Sequence, residues 1–396
     1  MREKNACLFF TLALILTLLL SPNLNAATQK VLYTFTGGID GGQPWAGVTL
    51  GPDGNLYGVT ERGGAYGQGT VFQLSYSQGS WTETVLYSFT GGTDGSNPVS
   101  GLSFDSAGNL YGAALWGCGT VFKLTPGDSG WTFTALYTFT GGDTDGCSPW
   151  NVRYDSRTNM LWGATADGGG PDDLGTVFWV PASGGYDVLY RFPSWKTGYW
   201  PWSINAWGFG ATYWGGWCGA GDVFQLYGDR LRPAYTFECS PTKVYAGYYP
   251  MGDLAMQVVD GVRMMYGTNS AGGVGGEGTV YRLKNLRNGG WWISVLHSFS
   301  GADGGYPGAG PVLDAAGNLY GTTEYGGTDP GHAGTVFKLT PGSKNKWTHT
   351  LLYSFTGGAD GGILTSGVIV DAAGNLYGTT QAGGAYGQGV VYEIIP

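Results

Sequence analysis

The chain has 396 residues, 75 of them Gly, nearly one in five where ~7% is usual. Gly costs roughly 1 kcal/mol against Ala inside a helix, which excludes a helical bundle or coiled coil. The glycines do not fall at every third position, which excludes collagen. With 42% hydrophobic residues, 16 Trp, 26 Tyr and 17 Phe, the chain can bury a core rather than stay disordered, and a turn-rich all-β protein remains.

In chain order, Arg2 and Lys4 precede an apolar run over 8–20, followed by Ser21-Pro22 and the small pair Ala26-Ala27. That pattern predicts a signal peptide over residues 1–26, with a single domain over 27–396. The run is too short for a bilayer span, which takes ~20 residues, so no membrane span is expected. The formal net charge is −9, and loss of Arg2, Glu3 and Lys4 makes it one unit more negative. A surface this poor in Lys and Arg argues against nucleic acid as partner. The expectation is a secreted or periplasmic monomer that carries no cofactor.

From residue 31 onward, three marks recur. The first is an aromatic strand end such as Leu32-Tyr33-Thr34-Phe35, whose Phe returns at 89, 139, 192, 237, 299 and 355. The second is Gly-Asn-Leu-Tyr-Gly, intact at 54–58, 108–112, 317–321 and 374–378. The third is Gly-Thr-Val-Phe-Lys-Leu, varied slightly at 69–74, 119–124, 175–180, 221–226, 278–283, 334–339 and 389–394. Periods near 50 residues point to a propeller or a solenoid. In the second repeat four strands are predicted, a to d, at 101–105, 109–113, 120–124 and 131–139. On strand d, Trp131, Phe133, Ala135, Tyr137 and Phe139 alternate with threonines, as on a half-buried strand. Asp105-Ser-Ala-Gly108-Asn109 is a turn with Gly where positive φ is needed.

Seven such units predict a seven-bladed β-propeller with four antiparallel strands per blade. The frame of the repeats distinguishes it from an open solenoid. The chain opens on a lone d strand at 31–35 and ends on a, b and c, so the N-terminal strand completes the last blade and closes the ring. Leu352-Tyr-Ser-Phe-Thr-Gly-Gly358, Gly374-Asn-Leu-Tyr-Gly-Thr-Thr380 and Gly334-Thr-Val-Phe-Lys-Leu-Thr-Pro341 together resemble the GloVer (Gloeo-Verruco) tandem repeat of bacterial extracellular proteins, over residues 31–396. The resemblance implies an exported repeat protein and no particular activity. Repeats four and five depart from it, lacking Thr-Gly-Gly after Phe192 and Phe237.

Cys118 and Cys147 flank one c–d hairpin, and Cys218 and Cys239 occupy the same two places two blades later. Both pairs are placed to form disulfides. On the face that carries the d–a and b–c loops, an Asp-Gly repeat recurs at Asp40, Asp94, Asp145, Asp303 and Asp360. Turn formation accounts for these aspartates; a calcium site is the alternative, with Asp143, Asp145, Asp172 and Asp173 as its best cluster, although no EF-hand loop is present. His297 and His349 fall on d strands, leaving His332 as the histidine of the loop face. No nucleophile elbow, zinc motif or catalytic carboxylate pair is recognisable.

Pro-Trp recurs where the d–a loop meets the innermost strand, at Trp45, Trp150 and Trp202, and Trp195, Trp200, Trp207, Trp214 and Trp217 crowd the same region of the fourth repeat. Flat indole faces suit the apolar faces of sugars. The expected function is therefore a secreted binding module for a glycan or glycoconjugate, held by Trp45, Trp150 and Trp202 with Trp195, Trp200 and Trp217. The alternatives are a glycan hydrolase or lyase in the central channel and a structural cell-surface protein.

Overall fold

The computed structural model describes residues 27–238, 246–287 and 289–396. The expected signal peptide, residues 1–26, and Cys239 lie outside them. Seven four-stranded antiparallel sheets form a β-propeller. The last sheet joins strand β1 (Thr28–Thr34) to β28 (Val390–Ile395), so the chain's first strand closes the ring. Among the described residues no helix is long and apolar enough to cross a membrane.

Each recurrent mark has a packing reason. In every blade the Gly at the position that ends Leu-Tyr-Gly in four of them pairs across the b–c ladder with the aromatic of the Gly-Thr-Val-Phe position, as Gly112 with Phe122 and Gly321 with Phe337. The ring lies over that Gly: a Cβ on Gly321 would stand 2.5 Å from Phe337 Cζ. Both phenylalanines are fully buried. Gly321→Ala is expected to cost about 1–3 kcal/mol by overpacking. Combining it with Phe337→Leu should cost less than the two singles together, as measured by urea unfolding, and simple additivity would remove this account of the motif.

The threonines that follow join blades at the hub. Thr322, Thr379 and Thr268 donate their hydroxyls to the carbonyls of Ser366, Ala46 and Ala309 in the next blade, at 2.7–2.9 Å. In the second blade the a strand is only Ser103–Phe104, shorter than expected; just before it the Leu102 carbonyl accepts the Thr49 hydroxyl of the first blade, and the Ser100 hydroxyl oxygen accepts the Val152 N–H of the third. The clean alternation on strand d also fails at one place. A bulge opposite Val121 and Phe122 shifts the register there, so Ala135 is exposed and Leu136 turns inward.

Cys118 and Cys147 form a disulfide. It ties the b–c loop of the second blade to the start of β10 (Gly146–Asp155), the innermost strand of the third.

Candidate functional site

The Asp-Gly aspartates are consumed by their own loops. The hydroxyls of Tyr33, Tyr87, Tyr137 and Tyr353 donate to Asp40, Asp94, Asp145 and Asp360 at 2.9–3.1 Å. The backbone N–H groups of Thr36, Thr90, Thr140 and Thr356 donate to the same carboxylates. In these four places the Tyr-x-Phe-Thr end of the d strand and the Asp that follows are thus one bracket. Within the calcium candidate, Asp145 is buried in this bracket, Asp173 accepts the Gly168 N–H, and Asp143 and Asp172 face solvent. The four do not gather into a metal-ligating group.

The mouth of the channel is built by a device repeated in all seven blades. The residue two places before the expected tryptophan position is Gln43, Asn97, Ser148, Trp200, Tyr249, Tyr306 or Ile363, and each has a φ between 53° and 64°. This left-handed backbone is uncommon outside Gly, and an outlier for the β-branched Ile363. It is held because each N–H donates to a carbonyl of the preceding blade, such as Ser148 to Cys118 at 2.9 Å and Tyr306 to Glu277 at 2.9 Å. In six blades a proline follows and lies over a Gly of that preceding blade: a Cβ on Gly175 would stand 2.7 Å from Pro201 Cδ. Strained backbone of this kind persists where the surroundings over-determine it, and it directs the next side chain over the mouth.

In three blades that side chain is a tryptophan. Trp45 and Trp150 meet with ring centroids 6.1 Å apart, and Trp150 stacks on Trp202 at 5.1 Å with 17° between planes. The row continues through Tyr213 to Tyr249. Trp45, Trp150 and Trp202 are each half-buried and form one row of ring contacts across the mouth. Below them the channel holds a cavity of about 260 Å³. Asp253, the one carboxylate lining it, pairs with Arg153 and accepts from the Asn151 amide at 3.0 Å. The paired carboxylates of a glycoside hydrolase are therefore absent from this cavity's wall.

Beside the mouth lies a groove of about 580 Å³, lined by Trp45, Trp150, Trp116, Leu115, Glu61 and Asn97 among others. Trp116 is 66% exposed. Sequence reasoning passed over it because it stands alone in the b–c loop of the second blade, outside the Pro-Trp pattern. The remaining tryptophans disperse. Trp195 and Trp217 border another cavity with Lys196 and Thr236, and Trp217 is 90% exposed. Trp200 donates its indole N–H to Asp167 at 3.0 Å. Trp207 lies in an a–b turn with the Arg157 guanidinium 4.1 Å from its ring centroid.

The sequence pattern of the Gloeobacter/Verrucomicrobia repeat matches residues 19–117, 114–285 and 255–396. The chain belongs to the Gloeobacter/Verrucomicrobia repeat family. No curated protein matches it. Among solved structures, an ancestral GH74 enzyme is similar at a TM-score of 0.59 and 12% identity, over 89% of this chain and 48% of that one. The extracellular domain of a hybrid two-component system from B. thetaiotaomicron gives 0.55 at 9% identity, over 92% and 39%. The Cps50 (Swd1) β-propeller domain of Myceliophteria thermophila gives 0.51 at 9% identity, over 92% and 99%. This chain thus spans less than half the length of the first two. At such identities the likeness is one of fold.

The Gloeobacter/Verrucomicrobia repeat also shows where this copy departs from itself. The bracket Tyr of the d strand is replaced at one position by His297, whose Nε2 lies 2.8 Å from Asp303 Oδ2. His332, expected on the loop face, borders a cavity with Glu277 and Thr328.

Proposed function

We propose that the protein is an exported glycan-binding module whose ligand lies in the groove between Trp116 and the Trp45–Trp150 pair. The observation that carries this reading is the groove itself. Three indoles from the first three blades form its apolar walls, and Glu61 and Asn97 supply a carboxylate and an amide at its edge. Its volume falls within the ~300–1,000 Å³ common for small-ligand sites. Stacked indoles bury sugar faces at little entropic cost, while the polar groups orient the hydroxyls. Trp202 supports the pair from behind, since one face of Trp150 is already covered by it. The Cys118–Cys147 disulfide next to Trp116 suits an oxidising compartment.

A glycan array with the full chain, followed by titration of the best hit on intrinsic Trp fluorescence, tests this. Trp116→Ala should weaken binding at least ~10-fold while stability stays within ~0.5 kcal/mol of wild type, because the ring is largely exposed. An array without hits, or a Trp116→Ala variant that binds as wild type does, would overturn the assignment. Cleavage of the hit on prolonged incubation would replace it by the hydrolase alternative.

A further inference from the structure

The geometry points to a divalent transition-metal site formed by His297, His349 and Asp303 at the outer rim between the fifth and sixth blades. It is separate from the proposed glycan groove and does not depend on it. Among the described residues these are the one group of three such side chains whose ligand atoms all lie within 4.8 Å of one another.

The site is conspicuous because the other blades show what the fold needs at these positions. Where one d strand packs on the next, an aromatic pair is enough: Tyr87 stacks on Phe133 at 4.5 Å, and Tyr137 on Tyr186 at 3.9 Å. Here both members are histidine, with centroids 4.0 Å apart and planes 11° apart. His297, on β21 (Trp291–Ser298), stands where the other blades place Tyr87 or Tyr137. His349, on β25 (Trp347–Ser354), lies opposite Leu339 as Phe133 lies opposite Leu124. Packing alone does not ask for two imidazoles. It leaves His349 Nε2 buried with no hydrogen-bond partner, a cost the Phe of the second blade avoids.

A metal ion removes that cost. Zinc bonds imidazole nitrogen at about 2.0–2.1 Å, which puts tetrahedral ligands roughly 3.4 Å apart, so the widest pair closes by no more than about 1.5 Å while His297 Nε2 and Asp303 Oδ2, now 2.8 Å apart, open slightly. The stacked rings must also tilt for their lone pairs to converge, and neither ring is locked by full burial. The carboxylate is already oriented. Asp303 Oδ1 accepts the Ser300 N–H at 2.8 Å and its hydroxyl at 2.9 Å, which leaves Oδ2 toward the rings. His297 Nε2 lies 2.8 Å from Asp303 Oδ2 and so carries its proton toward the carboxylate; the ring moves that proton to Nδ1, or releases it, when a metal takes Nε2. Two imidazoles and one carboxylate select a first-row ion such as Zn(II) over Ca(II) or Mg(II), which prefer all-oxygen shells. With three protein ligands the ion keeps an open position for water.

The test uses the untagged full chain, equilibrated with Zn(II), dialysed, and analysed for metal by atomic emission. One zinc per chain is expected, together with a zinc-dependent rise in melting temperature and visible d–d bands when Co(II) replaces zinc. His349→Phe restores the second blade's residue, so the variant should fold, retain no metal and lose the zinc-dependent stabilisation; His297→Tyr should do the same. Absence of bound zinc in the wild-type chain, or equal zinc in the His349→Phe variant, would overturn the proposal. Wild-type glycan binding by His349→Phe is expected and separates this site from the groove.

Discussion

Deleting residues 27–36 is expected to lower the melting temperature by at least ~10 °C and to drive the protein into aggregates. The deletion removes β1 and Phe35, a fully buried ring that packs on Phe72 with centroids 5.1 Å apart. Loss of that ring alone is worth about 3–5 kcal/mol, or roughly 4–6 °C in a domain of some 370 residues, and loss of the whole β1 ladder adds to it. It also bares the edge of β28, from Val390 to Ile395, whose ladder to β1 is the seam of the ring. A row of unpaired N–H and C=O groups is a template for pairing with another chain. Differential scanning calorimetry and light scattering read the two effects. A truncated chain that melted with the wild type and stayed dispersed would mean that hub contacts across the seam, such as Thr379 to the Ala46 carbonyl, hold the ring alone.

Replacing Cys118 and Cys147 together by Ser is expected to cost about 3.5 kcal/mol. The bridge closes a loop with a sequence separation of 29, and the chain-entropy model scales with the logarithm of that length. The cost should appear as a lower urea midpoint than that of the oxidised wild type, whereas a midpoint unchanged by reduction would contradict it. Glycan binding should weaken as well, because the Ser148 N–H donates to the Cys118 carbonyl beside the loop that carries Trp116. A non-reducing peptide map of the same samples tests the second expected pair, Cys218 with Cys239.

The blade count, the strand frame and the closure were legible because each rests on short-range signals. Tyr-x-Phe alternation, the Asp-x-x-Gly-Asn turn and Gly-Thr-Val-Phe each state a local geometry, and their repetition states the number of blades. The turn reading of the Asp-Gly loops was legible for the same reason, whereas the Tyr33 hydroxyl that holds Asp40 from seven residues away carried no mark in the sequence. The bulge that exposes Ala135 was not, because Ala and Leu neighbours carry no mark of which will face the core. Nor were the left-handed residues at the mouth. Asn97 is the sort of residue that tolerates such a backbone, but Trp200, Tyr249 and Ile363 are not, and contacts from the neighbouring blade impose it on all of them.

By itself the sequence determined a closed seven-bladed ring, its first disulfide and the loop face on which the Pro-Trp residues lie. These follow from backbone periodicity and from pairs of residues within one repeat. Only the tertiary structure decided what meets across repeats. It brought Trp45 beside Trp150 over an intervening blade, added the solitary Trp116 to them, and sent Trp207 and Trp217 elsewhere. It also drew His297 and His349 together from two outermost d strands, with Asp303 from the loop that follows the first of them. The physical reason is the same in each case: which side chains converge depends on the ring's curvature and on where strand register and bulges aim each residue, and those are properties of the assembled sheets.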